Sequence, residues 1–568
     1  ELMVKGGVNT YSEARRSINR PGGSSIPLGR VWTEDLTNTE LDFNYIATVN
    51  KDFSEDLSFK ALVGFNNNQR ELTRRRVTGN QIIQAGLYLT SATSQQQSNY
   101  DFHSLRRLYG AYFDMSLSYK DYLFFNLVGR NDWSSTLPEG NNSYFYPGAS
   151  VSFVFTDALS IPDNILNSGK VRVSATKVGN DAGPYRTNTN YFINTPYTTP
   201  AGTFTNRAGL LNTLRNPQLK PEFTTEYEGG LDLKFLNNKI GLDLTYFHRQ
   251  STEQIAQASL TRSSGFSQEW VNVGRLDNKG WEIGLDATPV STASGFTWNM
   301  YFAYSRIRTE VVDAGPTGEI FIGGAASTFG TIHRNGQPYG QIFGTAQAKD
   351  DEGNILIDKD TGMPFNAAKS TIIGNPNPDF NLGWTNTFTY KGFTLSALID
   401  WKQGGDFYSF TGASLVLRGQ LGFQADREAL RVVPGVYGDP GTYEAVLDDQ
   451  GNKIKNTTPV TAFDSHFTNG WGAYGADAVN VYDGTVIRLR EVSLGYSIPK
   501  SVLSKTPFGS ARFSVSGRNL WWKAPNVMQD LNLDPEFLSE AADSNIQGFE
   551  YGATPTTRRY GFNLSLTF

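Results

Sequence analysis

Apolar and polar residues alternate in many separate stretches of this chain. The final stretch, RRYGFNLSLTF (558–568), places large apolar side chains on one face of a strand and small or polar ones on the other, because successive side chains of a strand point to opposite faces. The apolar ones are Tyr560, Phe562, Leu564, Leu566 and Phe568. The same alternation occurs at 231–235, 240–246, 281–287 and 492–498. A soluble sheet must bury each such face under a second layer, yet only short stretches such as 425–432 have a helical pattern. The repetition predicts an all-β protein with a large antiparallel sheet.

The apolar stretches of the chain are short. The longest, such as ALVGF (61–65) and LSALI (395–399), are well below the roughly 18–20 residues that a membrane-spanning helix needs. A transmembrane β-barrel does not require such a stretch, because only every second residue of its strands contacts lipid. A membrane-spanning sheet is therefore compatible with the mean hydropathy of −0.39.

The connections between strands differ greatly in length. Short turns are predicted at 118–122, 235–238 and 390–393, among others. Long stretches rich in polar residues, glycine and aromatics lie between them, at 73–103, 181–221, 309–379, 406–484 and 524–557. Short turns at one end of a barrel and long loops at the other are typical of outer-membrane barrels. A large soluble β-protein with long insertions is the alternative.

We predict sixteen long strands from this pattern. They are 2–13, 40–54, 57–72, 105–119, 122–133, 145–156, 169–180, 223–236, 239–252, 270–289, 296–308, 380–391, 393–405, 485–498, 511–523 and 558–568. Further short stretches at 30–39, 341–347 and 354–357 are predicted as strand extensions or loop hairpins.

Composition and motifs argue against several functional classes. The net charge is −5 with scattered lysines and arginines, which does not indicate a nucleic-acid surface. Cysteine is absent, which excludes disulfides and cysteine catalysis. The four histidines are far apart, and neither HExxH nor GxSxG occurs. We therefore predict no enzyme, no cofactor and no metal site.

Polar residues accompany aromatic ones at several loop and strand-end positions. Stacking faces beside hydrogen-bonding groups suit glycans or extended peptides. The predicted substrate-binding residues are Arg130, Asp132, Trp133, Tyr144, Asp406, Tyr408 and Trp471. The alternative for each is a packing or interfacial aromatic, or a solvated charge.

An ordered series of motifs resembles the SusC/RagA family of TonB-dependent outer-membrane transporters. It includes GRNDWSSTLPEGNNSYFYPGASVSFVFTD (129–157), NPQLKPEFTTEYEGGLDLKFLNNKI (216–240), NVGRLDNKGWEIGL (272–285), IGNPNPDFNLGWTNTFTYKGFTLSALIDWKQGG (373–405) and VIRLREVSLGYSIPKS (486–501). The resemblance implies a 22-stranded barrel with a plugged lumen. Residues 1–568 would then be the C-terminal part of the barrel domain, with the plug and the first strands missing.

The resemblance also implies a function and partners. It implies TonB-dependent import of oligosaccharides or oligopeptides across the bacterial outer membrane, with a SusD-like surface lipoprotein as a lid. TonB would act through the missing N-terminal part, and the final strand with its aromatic end would be the signal for the assembly machinery. A non-transporting barrel that serves as a structural or docking component is the alternative.

One stretch departs from the family pattern. At DDEGNILIDKDTG (350–362) many members carry an aspartate-rich, calcium-like loop. Counted from Asp358, the fifth, sixth and twelfth positions are Gly362, Met363 and Lys369, where an EF-hand needs an oxygen ligand, a glycine and a glutamate. We therefore predict a solvated hairpin here.

Overall fold

Sixteen strands form one antiparallel sheet whose order follows the order of the chain. The computed structural model describes residues 1–163, 165–198, 202, 204–326, 329–467, 475–528, 530–536 and 546–568. The strands are β1 (Leu2–Asn19), β2 (Arg30–Ser54), β3 (Leu57–Ile82), β4 (Thr93–Tyr119), β5 (Leu123–Ser134), β6 (Ser143–Val154), β7 (Leu166–Asn180), β8 (Glu222–Phe235), β9 (Ile240–Thr252), β10 (Arg275–Ser291), β11 (Thr297–Asp313), β12 (Pro378–Tyr390), β13 (Phe393–Gly404), β14 (Val486–Ser497), β15 (Ser510–Lys523) and β16 (Arg559–Thr567). The predicted all-β class and the predicted number of sixteen long strands are confirmed, and each predicted strand overlaps one of these sixteen.

The strand ends differ from the prediction where polar residues continue the ladder. β2 begins at Arg30, because the stretch 30–39 extends it. β3 continues to Ile82 and β4 begins at Thr93, so the predicted long connection 73–103 is wrong over most of its length. The predicted strand 270–289 is divided between Gln268–Asn272 and β10. Gly274, at a φ of +96°, lies in the gap between these two strands. The alternation of apolar residues weakens in these polar extensions, so their length could not be predicted from it.

The chain divides into two compact units. The first contains residues 1–153, 172–227 and 251–273, and the second contains residues 154–171, 228–250 and 274–568. Both units contain strands of the large sheet.

In the second unit, the register places apolar side chains in rows across neighbouring strands. Leu395 on β13 is opposite Leu494, which is opposite Val515, which is opposite Phe562 on β16. The adjacent row, one residue along each strand, consists of Ser396, Ser493, Ser516 and Gly561. The apolar row is exposed, with Phe562 at 82%. One face of this part of the sheet is therefore apolar and open, and the other is small and polar.

In the first unit, the same rule separates the two faces. Val4, Tyr45 and Phe65 form an exposed apolar row across β1, β2 and β3. A polar row lies one residue away from the apolar row on each strand, and it runs across five strands, from β2 to β6. It consists of Asn44, Asn66, Gly110, Asp132 and Tyr144.

Short turns connect several of the long strands, as predicted. Between β8 and β9, Leu236, Asn237 and Asn238 have φ values of +53°, +57° and +59°. Asparagine adopts this left-handed conformation more readily than most residues, which is why the sequence NN marks the turn. Within the described residues, no helix is both long and apolar enough to cross a membrane.

The long connections of the second unit contain short strands and helices with cores of their own. The strands are Glu319–Ala326, Phe329–Arg334, Gln341–Gly344, Leu356–Asp358, Thr371–Gly374, Asp406–Ser409, Leu430–Val432, Val436–Gly438, Pro459–Thr461, Val481–Asp483 and Phe549–Glu550. The α-helices are Phe155–Ala158, Phe410–Leu417, Ala462–Phe467 and Lys500–Leu503. The predicted helical stretch 425–432 is wrong, because Leu430–Val432 pairs as a strand with Pro459–Thr461.

The connections of the first unit also contain short strands. Tyr191–Thr198 pairs with Phe204–Leu210, and Gln268–Asn272 lies between Thr213–Leu214 and Ile255–Ser259. Single 3₁₀ turns occur at Thr90–Ala92 and Arg262–Ser264 in this unit, and at Gly422–Gln424 and Asp477–Asn480 in the second.

Replacing Leu494 or Leu564 by arginine is expected to cost on the order of 2–4 kcal/mol of folding free energy, if the apolar face contacts lipid near the bilayer midplane. Arginine at Ser493 or Asn563 is expected to cost much less, because these neighbours point to the polar face. Urea titration of folding into lipid vesicles measures both pairs. Equal losses at all four positions would contradict the assignment of the faces.

Candidate functional site

A chain of side-chain hydrogen bonds crosses the polar face of the first unit. Asp42 Oδ2 on β2 accepts from Asn66 Nδ2 at 2.9 Å. Arg130 on β5 donates from Nη2 to Asn66 Oδ1 at 3.5 Å and from Nε to Asp132 Oδ1 at 2.7 Å. Tyr146 Oη on β6 donates to the other oxygen of Asp132 at 2.5 Å. Asp132 is 4% exposed, so a guanidinium and a phenol satisfy a buried carboxylate at the centre of this face.

Gly110 on β4 has no side chain and so leaves room for the ion pair between Arg130 and Asp132. A Cβ at Gly110 would lie 2.3 Å from Arg130 Nη2 and 2.6 Å from Asp132 Oδ1. These atoms belong to the ion pair itself, so any larger residue would displace the guanidinium from the carboxylate. The glycine is therefore needed here for close approach.

A second buried carboxylate, Asp181, lies just beyond the end of β7. Arg106 on β4 donates to it from Nε at 2.9 Å and from Nη2 at 2.6 Å, which is the bidentate geometry that arginine favours. Ser134 Oγ also donates to Asp181, and Thr136 Oγ1 does so at 3.0 Å. One carboxylate thus ties together β4, the end of β5 and the segment after β7.

Aromatic rings line the neighbourhood of these carboxylates. Tyr144 stacks on Tyr146 with ring centroids 6.1 Å apart, and it meets Phe223 edge-on at 6.4 Å. The Arg186 guanidinium lies 3.9 Å from the centroid of the Trp270 ring. The buried residues of this cluster are Leu137, Tyr144, Ala182 and Leu219. Tyr144 is 6% exposed, so its ring packs this face, whereas Arg186 and Trp270 are only partly buried and leave a cation and part of a π face open to a sugar or a peptide side chain.

The structure brings together three of the predicted residues of the first unit. Arg130, Asp132 and Tyr144 lie on the polar face, with Asp132 opposite Tyr144. Trp133 follows Asp132 directly and therefore points to the apolar face, opposite Tyr109. It does not join the other three.

The residues that sequence reasoning missed in this region are Arg106, Ser134, Tyr146 and Asp181. Tyr146 could have been found, because it lies two residues after Tyr144 and so on the same face. The same holds for Ser134, two residues after Asp132, whereas the roles of Arg106 and Asp181 depend on a contact between distant parts of the chain.

In the second unit, Asp406 joins the connection that follows β13 to the end of the connection that precedes β12. Its Oδ2 accepts from the backbone N of Asn375 at 2.8 Å, and its own N donates to Asn375 O at 2.7 Å. Burial raises the pKa of Asp406 above its usual value, and the nearby charges of Asp483 and Asp379 raise it further. The hydrogen bond from the backbone of Asn375 lowers the pKa but does not cancel these effects. The observed contacts of Asp406 are therefore with the backbone of a neighbouring connection.

Tyr408 lies in the core of the same loop region. It is 0% exposed, and its ring lies 4.5 Å from that of Phe329 and 6.2 Å from that of Phe549. Burial raises its pKa above the ordinary tyrosine value. In this structure a ligand cannot reach Tyr408, which packs the loops instead. Trp471 lies outside the described residues.

The DDEGN stretch forms a tight hairpin turn. Asp350 Oδ1 accepts from the backbone N of Asn354 at 2.8 Å, and Asn354 Nδ2 donates to Asp350 Oδ2 at 2.8 Å. Lys453 lies 3.0 Å from Asp350 and 3.3 Å from Glu352, and also contacts Asp351 at 2.5 Å. Across the described part of the chain, no group of three or more histidines and carboxylates is arranged to hold a metal ion.

Comparisons with known proteins agree on one family. A family model described as "TonB dependent receptor-like, beta-barrel" matches residues 5–327. TonB-dependent receptor P3 of Formosa agariphila is 25% identical over 565 residues, which covers 94% of this chain and 52% of that protein. TonB-dependent receptor SusC of Bacteroides thetaiotaomicron is 24% identical over 194 residues, 32% of this chain and 19% of that protein. The chain spans about half the length of the first of these relatives.

A solved structure shows the same fold. The structure of the RagAB peptide transporter matches 100% of this chain and 60% of that chain, with a TM-score of 0.74 and 16% sequence identity. At this identity the likeness concerns the fold alone.

Replacing Arg106 by methionine is expected to destabilise the polar face by about 3 kcal/mol, because Asp181 would keep a buried charge without its partner. Hydrogen exchange of the segments around 134–136 and 181–183 measures the loss. Arg107→Met is the matched control, since Arg107 is exposed and its guanidinium donates to the neutral Gln69 Oε1 at 3.0 Å. The double variant Arg106→Met/Asp181→Leu is expected to recover much of the stability. If it does not, the ion pair is not the cause.

The turn around Asp350 is expected to lose its protection from hydrogen exchange at low pH. Burial alone would raise the pKa of Asp350, but hydrogen bonds from Asn354 and Lys453 lower it to about 2. A carboxylate with a lowered pKa stabilises the folded turn fully above the unfolded pKa of about 3.9 and loses this contribution as the pH falls towards 2.

Deuterium uptake of the segment 345–366 as a function of pH, corrected for the pH dependence of intrinsic exchange, measures this loss of stability. Lys453→Met is expected to move the acid transition to higher pH, while Lys455→Met, at an exposed neighbouring lysine, is expected to leave it in place. Identical profiles for wild type and Lys453→Met would contradict the proposed cause.

Proposed function

The chain belongs to the TonB-dependent receptor β-barrel family, and we propose that it is the barrel part of an outer-membrane importer of oligosaccharides or oligopeptides. The observation that carries this proposal is the contrast between the two faces of the sheet. An exposed apolar row such as Leu395, Leu494, Val515 and Phe562 suits lipid. The polar face of the first unit presents the partly exposed Arg130 and Tyr146, which the buried Asp132 holds in place, and such groups suit a polar nutrient.

The energy for import would come from TonB, as the family name implies. In this proposal residues 1–568 belong to the barrel domain, and β1 and β16 pair at their outer edges with further strands of the same barrel. The support is that β1 and β16 are the two end strands in the order of the sixteen-stranded sheet, and a sheet edge in lipid leaves backbone N–H and C=O groups unpaired at a cost of several kcal/mol each. A plug and a TonB-contacting segment would complete the receptor.

A SusD-like surface lipoprotein would act as the lid, seated on the long connections. In the second unit, the connections 309–379, 406–484 and 524–557 share a core of Phe329, Ile342, Tyr408, Ala413 and Phe549. A platform with its own buried core keeps its shape when a partner binds and releases. This favours a docking role for these loops over that of simple connectors.

Uptake is expected to require TonB. Cells that express the intact receptor should accumulate labelled oligosaccharides or oligopeptides, and deletion of TonB should abolish this accumulation while receptor levels in the outer membrane stay unchanged. A lid lipoprotein should co-purify with the receptor from native membranes. Accumulation that survives without TonB would contradict active import, and a receptor that shows no accumulation at all would favour a structural or docking role.

A further inference from the structure

The guanidinium group of Arg186, in the segment after β7, is held in place by a ring and by backbone. Its carbon lies 3.9 Å from the centroid of the Trp270 ring. The group also lies against Gly183, where an added Cβ would come within 2.8 Å of Nη2. Within the described residues, no oxygen atom accepts a hydrogen bond from the Arg186 side chain. Its N–H donors are therefore available to a ligand.

The carboxylate that acts on Arg186, Glu222 on β8, has other hydrogen-bond partners. Its Oε1 accepts from the backbone N of Ile255 at 2.7 Å, and its Oε2 accepts from Asn180 Nδ2 at 3.2 Å. Burial lowers the pKa of Arg186, and the negative charge of Glu222 opposes this only in part. The guanidinium nevertheless stays charged, because arginine does not lose its proton in proteins. The carboxylate of a ligand would thus meet a fixed cation.

The Trp270 ring belongs to a small three-stranded sheet. Gln268–Asn272 is the central strand of this sheet, and Ile255–Ser259 is an end strand that pairs with it in antiparallel fashion. In this pairing Gln257 is directly opposite Trp270. Residues that are directly opposite each other point to the same face of a sheet. Gln257 and Trp270 therefore share a face.

The outer edge of the end strand presents the backbone groups of Gln257. The N–H of Ile255 points away from the central strand, because it donates to Glu222. Backbone groups alternate in direction along a strand, so the N–H and C=O of Gln257 also point outward. Within the described part of the chain, no other group forms a hydrogen bond with them. A further strand can therefore pair at this edge.

Arg186 lies close to the same edge. Glu222 contacts the edge at Ile255, and its charge acts on Arg186. The Arg186 guanidinium also contacts the Trp270 ring, one strand in from the edge. Every second side chain of an added strand would point to the face that Gln257 and Trp270 share. An acidic side chain at such a position is directed towards the guanidinium.

We propose that Arg186 and the backbone edge at Gln257 bind an acidic oligopeptide, which adds as an extended strand and pairs a carboxylate with the guanidinium. This inference rests on the proposed import function and narrows its substrate class. Backbone pairing at a strand edge gives affinity, and a guanidinium fork selects a carboxylate. An oligosaccharide cannot form the backbone ladder. The guanidinium also lies over the centre of the Trp270 ring, where a sugar would stack.

Calorimetry on the intact receptor in detergent tests the proposal with two pentapeptides. One alternates threonine with glutamate, the other has glutamine in place of glutamate, and both are capped at their two ends to remove the terminal charges. The glutamate peptide is expected to bind at least about tenfold more tightly, because only it forms charge-assisted hydrogen bonds with Arg186. Arg186→Gln is expected to abolish this preference by weakening the glutamate peptide alone, whereas a loss of folding would weaken both peptides.

Arg262→Gln is the matched control. Arg262 lies at the exposed turn of the hairpin whose strands are Ile255–Ser259 and Gln268–Asn272. An exposed charge contributes little, so this variant should change the affinity for the glutamate peptide by less than about twofold.

Methylation of the peptide nitrogens tests the backbone pairing. Alternate N–H groups of an added strand point to the sheet edge, and the others point away from it. Methylation of one alternate set is therefore expected to weaken binding by about tenfold or more, because it removes the donors of the ladder. Methylation of the other set is expected to cost much less.

Several outcomes would overturn the proposal. They are equal binding of the two peptides, equal effects of Arg186→Gln and Arg262→Gln, equal effects of the two methylation patterns, or tighter binding of tetragalacturonate than of the glutamate peptide. In these cases TonB-dependent uptake of another nutrient would leave the import function intact. Conversely, the expected binding pattern without TonB-dependent uptake would refute import and keep the peptide site.

Discussion

The pairing of each long strand with its sequence neighbours is the constraint on which the rest of the structure depends. Backbone groups that face lipid must find partners within the sheet, because there is no water to replace them. Pairing then fixes which side chains share a row. A slip of one residue at β14 would place Ser493 beside Leu395 and Val515 and would put every side chain of that strand on the wrong face. The alternation of apolar and polar residues makes such a slip costly, and so specifies the register.

This constraint explains how much of the fold could be predicted from the sequence. Every long strand was found at least in part, because most of them carry enough alternation to be recognised alone. The lengths of β2 and β3 were underestimated. Their additional ends are polar on both faces, so the alternation disappears there. The short strands of the connections were largely missed for a different reason. Leu356–Asp358 pairs in parallel with Val436–Gly438, about eighty residues away, and no local pattern encodes that partner.

The residues of the candidate site also separate into those that local alternation could predict and those that depend on distant contacts. Arg130, Asp132 and Tyr144 could be predicted as a group, because residues on the same face of two adjacent strands lie close together when the strands are paired. Trp133 could not belong to that group once Asp132 did, since neighbours on a strand face opposite sides. Tyr408 looked like a binding residue because it is aromatic and lies in a polar connection. Its burial depends on Phe329 and Phe549, which are distant in sequence.

Buried carboxylates join side chains from different strands of the first unit. Asp181 receives one bidentate arginine and two hydroxyls, and Asp132 receives one arginine and one phenol. Glu34 on β2 receives arginines from both neighbouring strands, Arg15 on β1 and Arg74 and Arg76 on β3. Burying a carboxylate costs free energy unless its charge is compensated. Each of these carboxylates therefore depends on strands that must already be paired in the correct register, and it penalises any register that moves its partners away.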